Sequence, residues 1–567
     1  MEWYPKRTIG SLLDAAAAKW GDREALTYKG RSWTFADWKA ESDRVAKGLI
    51  AGGIEPGERV AVWMVNRPEW LFAMFGIAKA GAAIVPLNTR YRTDDIAYTL
   101  AQSRSAMLIS VDTSGPVDYR AMLGESMPDI GAGAEGALRL ERFPDLRRIT
   151  FVGEETLPNT GSWEDLLAAG ASVSDAELQA RADAVDPDGL AMIGYTSGTT
   201  GHPKGVMHSH IVIRNVHERA ELLGITFEDV HLNYMPMFHI YGYSEITMIS
   251  ALTGAKQILM DAFDADAALD IAERDGVTIM HGFEAHWLDL LNAQAARPRT
   301  LNLRFGTLPS GVDSTIPIAE RVQDAFCPTI SGYGLTEGWA FITCSNPSHS
   351  REQRVNGSGY PMIDYAFRVI DPATGRDQPT GVSGEILIRG YAVMKGYWDK
   401  PAESAAVLDG DGWLHSGDMG RIRPDGHLVF QGRYKDMLKV GGENVSPAEM
   451  EAYLRDMPEV LDAAIVSYPD PRLTEVPVAF VLASGDGAIV PEDLIGRCKG
   501  RVAGFKIPRH VIELPEFPMT PSGKVRKVEL RETALEMLGD RARKRPRTVE
   551  RGPTEKTGLS PSRLSRG

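Results

Sequence analysis

Apolar and polar positions in the first part of the chain alternate between two periods. Arg59–Val65 (RVAVWMV) is almost continuously apolar, the pattern of a strand buried on both faces. Pro68–Gly81 (PEWLFAMFGIAKAG) is a helix pattern, with proline in its first turn and glycine as its stop. Ala82–Leu87 is strand-like again, Thr93–Ser103 is helical, and Ala106–Val111 gives a third strand. Repeated β-α-β units imply a largely parallel sheet with helices on its faces. Gly131–Gly136 (GAGAEG) reads as a surface excursion, after which a short strand at Leu190–Gly194 resumes an alternation that continues to about residue 330.

From Ala366 to Gly432 the texture changes to short strands with Asp-Gly turns at Asp411-Gly412 and Asp425-Gly426, a β-rich lobe. A new helix opens at Ser446-Pro447-Ala448-Glu449, a serine N-cap with proline next and glutamate three residues on. Strands at Ala463–Tyr468 and Val476–Ala483 follow. The expected fold class is α/β: a large N-terminal domain (1–432) of parallel-sheet α/β lobes plus a β-rich lobe, and a small α+β C-terminal domain (437–539). From Asp540 onward nine Lys or Arg stand against three acidic residues, among scattered Pro, Gly and Ser. That is the composition of a disordered basic tail (540–567).

At 567 residues the chain is too long for one hydrophobic core. Its net charge of -14 argues against a chain-wide nucleic-acid surface, so no nucleic-acid partner is expected. Cys327, Cys344 and Cys498 lie far apart and match no disulfide or zinc spacing, which fits a reducing compartment. The N-terminal residues contain no long apolar core, and no run of about 18 apolar residues occurs anywhere. A cytoplasmic protein without a transmembrane segment is the expectation.

The densest chemical signal is Tyr195–Gly205, YTSGTTGHPKG, directly after a predicted strand. Thr196, Ser197, Thr199 and Thr200 supply hydroxyls, Gly198 and Gly201 interrupt them, and Lys204 stands near the end. Glycines let backbone N–H groups turn toward an anion and hydroxyls add donors, so the segment is built to hold phosphate oxygens. It is not a Walker A loop, because G-x4-G-K-[ST] does not occur here.

With these residues the chain resembles the adenylate-forming superfamily: acyl-CoA synthetases, peptide-synthetase adenylation domains and firefly-type luciferases. Tyr333–Glu337 (YGLTE) is similar to its second nucleotide motif. His415–Asp418 (HSGD) resembles its ribose motif, with Ser416 where threonine is usual. Gly432–Gly442 (GRYKDMLKVGG) resembles the hinge motif, and Pro518–Arg526 (PMTPSGKVR) the C-terminal P-x4-G-K motif. The resemblance implies an acid–thiol ligase that uses ATP, Mg2+ and coenzyme A. A carboxylic acid would attack the α-phosphate of ATP, release pyrophosphate, and pass from the resulting adenylate to coenzyme A.

The resemblance also implies roles. Lys524 would bridge the acid carboxylate and the α-phosphate, Thr336 would donate to that phosphate, and Glu337 would hold Mg2+. Tyr333 and Gly334 would face the adenine, as would Gly311 in a segment that reads Ser310-Gly311-Val312-Asp313 where the family shows a GGAP-like sequence. Asp418 and Arg433 would grip the ribose. Lys435 would be the hinge (433–436) about which a mobile C-terminal domain turns between the two steps, Gly441 and Gly442 would line the pantetheine tunnel, and Lys439 would approach the adenylate in the second state.

Met235–Gly242 (MPMFHIYG) resembles the segment lining the acid site, with His239 as its aromatic gate and Gly242 beside it. Peptide-synthetase domains usually carry aspartate after this phenylalanine, so His239 speaks against amino-acid substrates. His281, Glu284 and His286 stand where acyl synthetases usually show Gly, Val and Pro, either as a structural hydrogen-bond network or as lining for a polar acid. Trp339 would shorten an acyl tunnel and favour short, medium or ring-bearing acids. The alternatives are a ligase that loads a carrier protein, a luciferase-like oxidation, and a silent adenylate-binding relative. The family resemblance allows a homodimer.

Overall fold

The computed structural model describes residues 4–132, 138–196, 203–312, 315–434, 437–440, 443–445, 447–470, 473–485, 489–499, 502, 504–519 and 525–543. The apolar run at the start of the β-α-β pattern forms the strand Arg59–Trp63, and its four following positions are all buried. The helix after it spans Pro68–Lys79, with its proline at the first helical position, where a missing N–H costs no hydrogen bond. Strands Ala83–Pro86 and Met107–Val111 and the helix Thr93–Ser103 follow within one residue of their predicted bounds.

These strands sit in a seven-stranded sheet ordered 204–209, 190–196, 83–86, 59–63, 107–111, 148–152, 161–162. It is parallel except for the edge hairpin of Leu190–Thr196 with Lys204–Ser209. A second seven-stranded sheet runs 329–330, 305–307, 279–281, 230–233, 256–259, 24–28, 31–34. Its far edge is the antiparallel hairpin Glu24–Tyr28 with Arg31–Thr34, which comes from the N-terminal end of the chain and pairs in parallel with Lys256–Leu259.

The β-rich lobe is a four-stranded antiparallel sheet in sequence order, Ala366–Ile370, Gly384–Arg389, Leu414–Ile422 and Leu428–Arg433. Its two Asp-Gly turns place Gly412 at φ +80° and Gly426 at φ +89°, the left-handed region that glycine enters without penalty. Beyond it Val460–Asp470 and Thr474–Ala483 form a long antiparallel pair, flanked by Leu438–Val440 and by His510–Glu513. This segment has an apolar core of its own, around Leu438, Met450, Leu454, Ile465 and Ala479. The helix expected from the capping box spans Pro447–Arg455; Ser446 itself lies outside the described residues.

The last helix runs from Lys527 to Arg543 and buries Leu530, Ala534 and Leu538, so it takes in 540–543, the first four residues of the expected tail. The remainder, 544–567, and residues 133–137 of the predicted surface excursion lie outside the described residues.

Candidate active site

The phosphate-loop motif bridges the antiparallel edge of the first sheet. Thr196 pairs with Lys204 across the hairpin, and the Thr196 hydroxyl donates to the Lys204 carbonyl at 3.5 Å. The loop between them carries Ser197, Gly198, Thr199, Thr200 and Gly201, all outside the described residues. Its base is braced from the Thr93–Ser103 helix, where Tyr98 donates to the Pro203 carbonyl at 3.2 Å. Lys204 rests its ammonium 4.8 Å from the centre of the Tyr397 ring.

Thr336 and Glu337 occupy a single tight turn, Thr336–Gly338. Gly334, just before it, lies so close to the Ala340 carbonyl that no side chain fits there. Trp339, just after it, is held at φ +80°, a conformation that costs a non-glycine residue about 1–3 kcal/mol. Its indole compensates by complete burial, edge-on to His208 and Tyr243. His208 is itself buried, which lowers its pKa to about 4 and keeps the ring neutral. Its Nε2 lies 2.7 Å from the Thr336 carbonyl, so a neutral ring donates there and fixes the turn. Tyr397 donates to Glu337 Oε1 at 2.9 Å.

The ribose motif assembles from three distant segments. Tyr333 donates to Asp418 Oδ2 at 2.7 Å, and Arg433, paired with Asp418 across adjacent strands, brings its Nε within 3.3 Å of Oδ1. Asp418 is only 3% exposed, so these partners carry the cost of burying its charge. Burial, reinforced by the Asp418 charge, holds the Tyr333 hydroxyl well above its usual pKa and therefore protonated. Ser416 accepts from the Asp418 amide at 3.1 Å and donates to the Ile386 carbonyl, so a serine performs the turn-closing role here without the threonine methyl. Gly311 takes φ +106° with its backbone against Ser358, where an added Cβ would lie 2.5 Å from the Ser358 hydroxyl oxygen.

The Met235–Gly242 segment is closely packed. His239 caps a short turn, accepting from the Tyr241 amide at 3.3 Å, and Gly242 packs against the carbonyls of Met235 and Pro236. His281 is buried on the strand Ile279–His281 with both ring nitrogens engaged. Nδ1 is hydrogen-bonded to the Thr307 hydroxyl at 2.9 Å and Nε2 to His231 Nδ1 at 3.1 Å. Thr307 is hydrogen-bonded in turn to the Tyr241 hydroxyl. Burial holds His281 far below the ordinary histidine pKa, so this ladder is neutral. His286 sits among the rings of Tyr234, Phe263 and Phe283.

Immediately after Gly242 the chain forms a π-helical stretch, Tyr243–Met248. Its Glu245 makes a bidentate ion pair with Arg219, both distances 2.6 Å, and Arg219 also donates to the Phe341 carbonyl at 3.0 Å. Sequence reasoning singled out none of Arg219, Glu245, His208 and Tyr397. Only the Gly396-Tyr397-Trp398 string, following a strand of the β-rich lobe, carried a signal that could have been followed.

Lys435, Gly441, Gly442, Lys524 and Asp313 lie outside the described residues, and Lys439 is described only as part of the strand Leu438–Val440. Among the described residues no group of three or more His, Cys, Asp or Glu side chains could hold a metal. A single carboxylate still fits Mg2+, which usually takes one or two carboxylates and completes its shell with phosphate oxygens and water. Among the described residues no helix is long and apolar enough to cross a membrane.

The profile of the AMP-binding enzyme family matches residues 13–398, and that of the AMP-binding enzyme C-terminal domain matches residues 449–524. YngI of Bacillus subtilis (strain 168), named as an acyl-CoA synthetase, is 34% identical over 540 residues, which cover 94% of this chain and 98% of YngI. A methyl-dioxo-octahydroindenyl-propanoyl:CoA ligase of Mycobacterium tuberculosis (strain H37Rv) is 34% identical over 534 residues, 93% of this chain and 99% of the relative. Among solved structures, the anthranilate CoA ligase AuaEII in complex with anthranoyl-AMP superposes with a TM-score of 0.83 at 25% identity, covering 94% of this chain and 99% of that one.

Proposed function

Because the chain belongs to the AMP-binding enzyme family of adenylate-forming ligases, which use ATP, Mg2+ and coenzyme A, we propose that it converts an apolar, ring-bearing or medium-length carboxylic acid into its CoA thioester. The acid oxygen attacks the α-phosphorus and pyrophosphate leaves; the CoA sulfur then attacks the acyl carbon and AMP leaves. The reading is supported above all by contacts between motifs far apart in the chain: the Lys204 end of the phosphate loop meets the Thr336-Glu337 turn through Tyr397, and Tyr333, three residues before that turn, joins Asp418 and Arg433.

In this reading Asp418 and Arg433 hold the ribose, Tyr333, Gly334 and Gly311 border the adenine, and Thr196 to Lys204 receive the departing pyrophosphate. Thr336 donates to the α-phosphate. Glu337 is the residue that would hold Mg2+, which when bound neutralises charge on the phosphates. Lys524 bridges acid and phosphate. Preorganised donors and cations of this kind lower the barrier without reorganising during the reaction.

The domains are 1–432 and 437–539, joined by a hinge at 433–436 that begins at Arg433, the last residue of the strand Leu428–Arg433. The separate apolar core beyond Leu438 supports a C-terminal domain able to turn as a unit about Lys435. Turning would withdraw Lys524 and bring Lys439, Gly441 and Gly442 to the thiol path.

The acid lies against the His239–Gly242 segment. His281 supports that segment from behind through Thr307 and Tyr241 rather than by touching a polar substrate. Trp339, fully buried against Tyr243, would limit the depth of the site, which favours compact acids. Similarity to a ligase of a ring-bearing propanoate supports the same class.

The test is incubation with ATP, Mg2+, CoA and a panel of straight-chain, branched, alicyclic, aromatic and polar acids, followed by mass spectrometry of the products. Acyl-CoA with AMP is expected, greatest for an apolar acid. Acyl-adenylate and AMP without thioester would move the acceptor to a carrier protein, and no AMP with any acid would overturn the reading.

A further inference from the structure

Five residues, Met394–Trp398, knit two parts of the nucleotide site together. The Met394 amide donates to the Glu337 carbonyl at 2.8 Å. On the other side, Lys395 donates to the Met207 carbonyl at 2.9 Å, Met207 to Gly396 at 3.1 Å, and Trp398 to Gly205 at 2.7 Å, so the segment is laced to the strand that leaves the phosphate loop. Tyr397 stands at the centre. Its amide donates to the Ser404 hydroxyl at 2.8 Å, it forms an antiparallel bridge with Val206, and its side chain is 6% exposed.

That ring therefore has one available position, and in it both ends are used. The face lies 4.8 Å from the Lys204 ammonium, and the hydroxyl donates to Glu337 Oε1 at 2.9 Å. A phenol is suited to both tasks, because its π face attracts a cation while its O–H restrains a carboxylate.

We propose that Tyr397 is a positioning residue for nucleotide binding, orienting the Glu337 carboxylate toward Mg2+ and seating Lys204 at the base of the phosphate loop, so that metal ligand and loop cation are set by one side chain. The inference rests on the reading of Glu337 and Lys204 given above. Groups that orient a metal-binding side chain typically change metal affinity 10- to 100-fold when removed, although they never touch the metal.

The experiment is calorimetric titration of the full chain with a non-hydrolysable ATP analogue at a series of Mg2+ concentrations, alongside AMP without metal. Tyr397→Phe keeps the ring and removes only the hydroxyl. The Mg2+ concentration giving half-maximal analogue binding should rise about tenfold, while AMP affinity and the KM for the acid stay at wild-type values. Tyr397→Leu, which also removes the π face, should weaken binding of the metal-free analogue and spare AMP, which lacks the outer phosphates. Unchanged Mg2+ dependence in Tyr397→Phe would overturn the proposal, as would equal losses for AMP and for the Mg2+-loaded analogue, the signature of a merely structural role. A wild-type chain whose analogue binding ignores Mg2+ would overturn the reading of Glu337, and this proposal with it.

Discussion

Asp418 shows how a single carboxylate can be buried and still keep its charge. Its charge is sustained by one hydroxyl and one guanidinium, from Tyr333 and Arg433, in a strand position that leaves almost no solvent contact. Asp418→Asn keeps the shape and removes the charge-assisted bonds, which are worth about 1.5–3 kcal/mol each. Affinity for AMP should fall roughly tenfold to a hundredfold by calorimetry, and wild-type affinity would remove Asp418 from the ribose site. Lys524→Ala should lower acid-dependent pyrophosphate release by about 10²–10³. Thioester formation from a supplied acyl-adenylate should persist, and equal loss in both half-reactions would contradict the bridging role. Asp418 and Lys524 could be singled out in the sequence because each stands at a fixed point in a recognisable motif. Tyr397 could not, since a tyrosine after glycine in a connecting segment has many uses, and only the folded chain brings it to Glu337, 60 residues away.

Among the elements, the π-helical stretch Tyr243–Met248 most clearly joins packing to the proposed acid site. A π turn places one extra residue in the helix and is usually found near function. Here Glu245 turns inward to meet Arg219, and Arg219 reaches on to the Phe341 carbonyl, just beyond the Thr336–Gly338 turn. The π-helical stretch and the segment after the Thr336–Gly338 turn are thus fixed to one buried cation. Arg219→Met strands the Glu245 carboxylate and should cost about 3–5 kcal/mol in urea unfolding, whereas replacing both partners by apolar residues of similar volume should recover much of that loss. If the single and double replacements are equally damaging, the pair contributes through shape alone. The alternation in MHGFEAHW illustrates the limit of reading such elements from sequence. It leaves open whether His281 faces a substrate or a network, and the register His281 to Thr307 between parallel strands decides for the network.

For the molecule as a whole, burial holds several of the described histidines neutral. Burial lowers His208, His210, His231 and His286 to about 4 and His281 further still. An unfolded chain takes up these protons near pH 6.5, the folded chain only near 4. Their contribution is therefore complete above 6.5 and is lost as pH falls toward 4, at up to about 1.4 kcal/mol per histidine per pH unit. The urea midpoint at constant ionic strength should fall steeply between pH 6.5 and 4.5, and a flat profile would show that these rings titrate in place.

The second seven-stranded sheet takes its edge hairpin, Glu24–Thr34, from the N-terminal end of the chain, although the strand it pairs with is Lys256–Leu259. During synthesis the hairpin leaves the ribosome about 220 residues before its neighbour exists. At about 5–20 residues per second that is a wait of roughly 10–45 seconds. A lone two-stranded hairpin is marginal in water, and Leu26 and Trp33, buried in the finished sheet, stay exposed throughout that interval. Translation of this protein therefore includes a fixed period in which its earliest strands need shelter from other nascent chains.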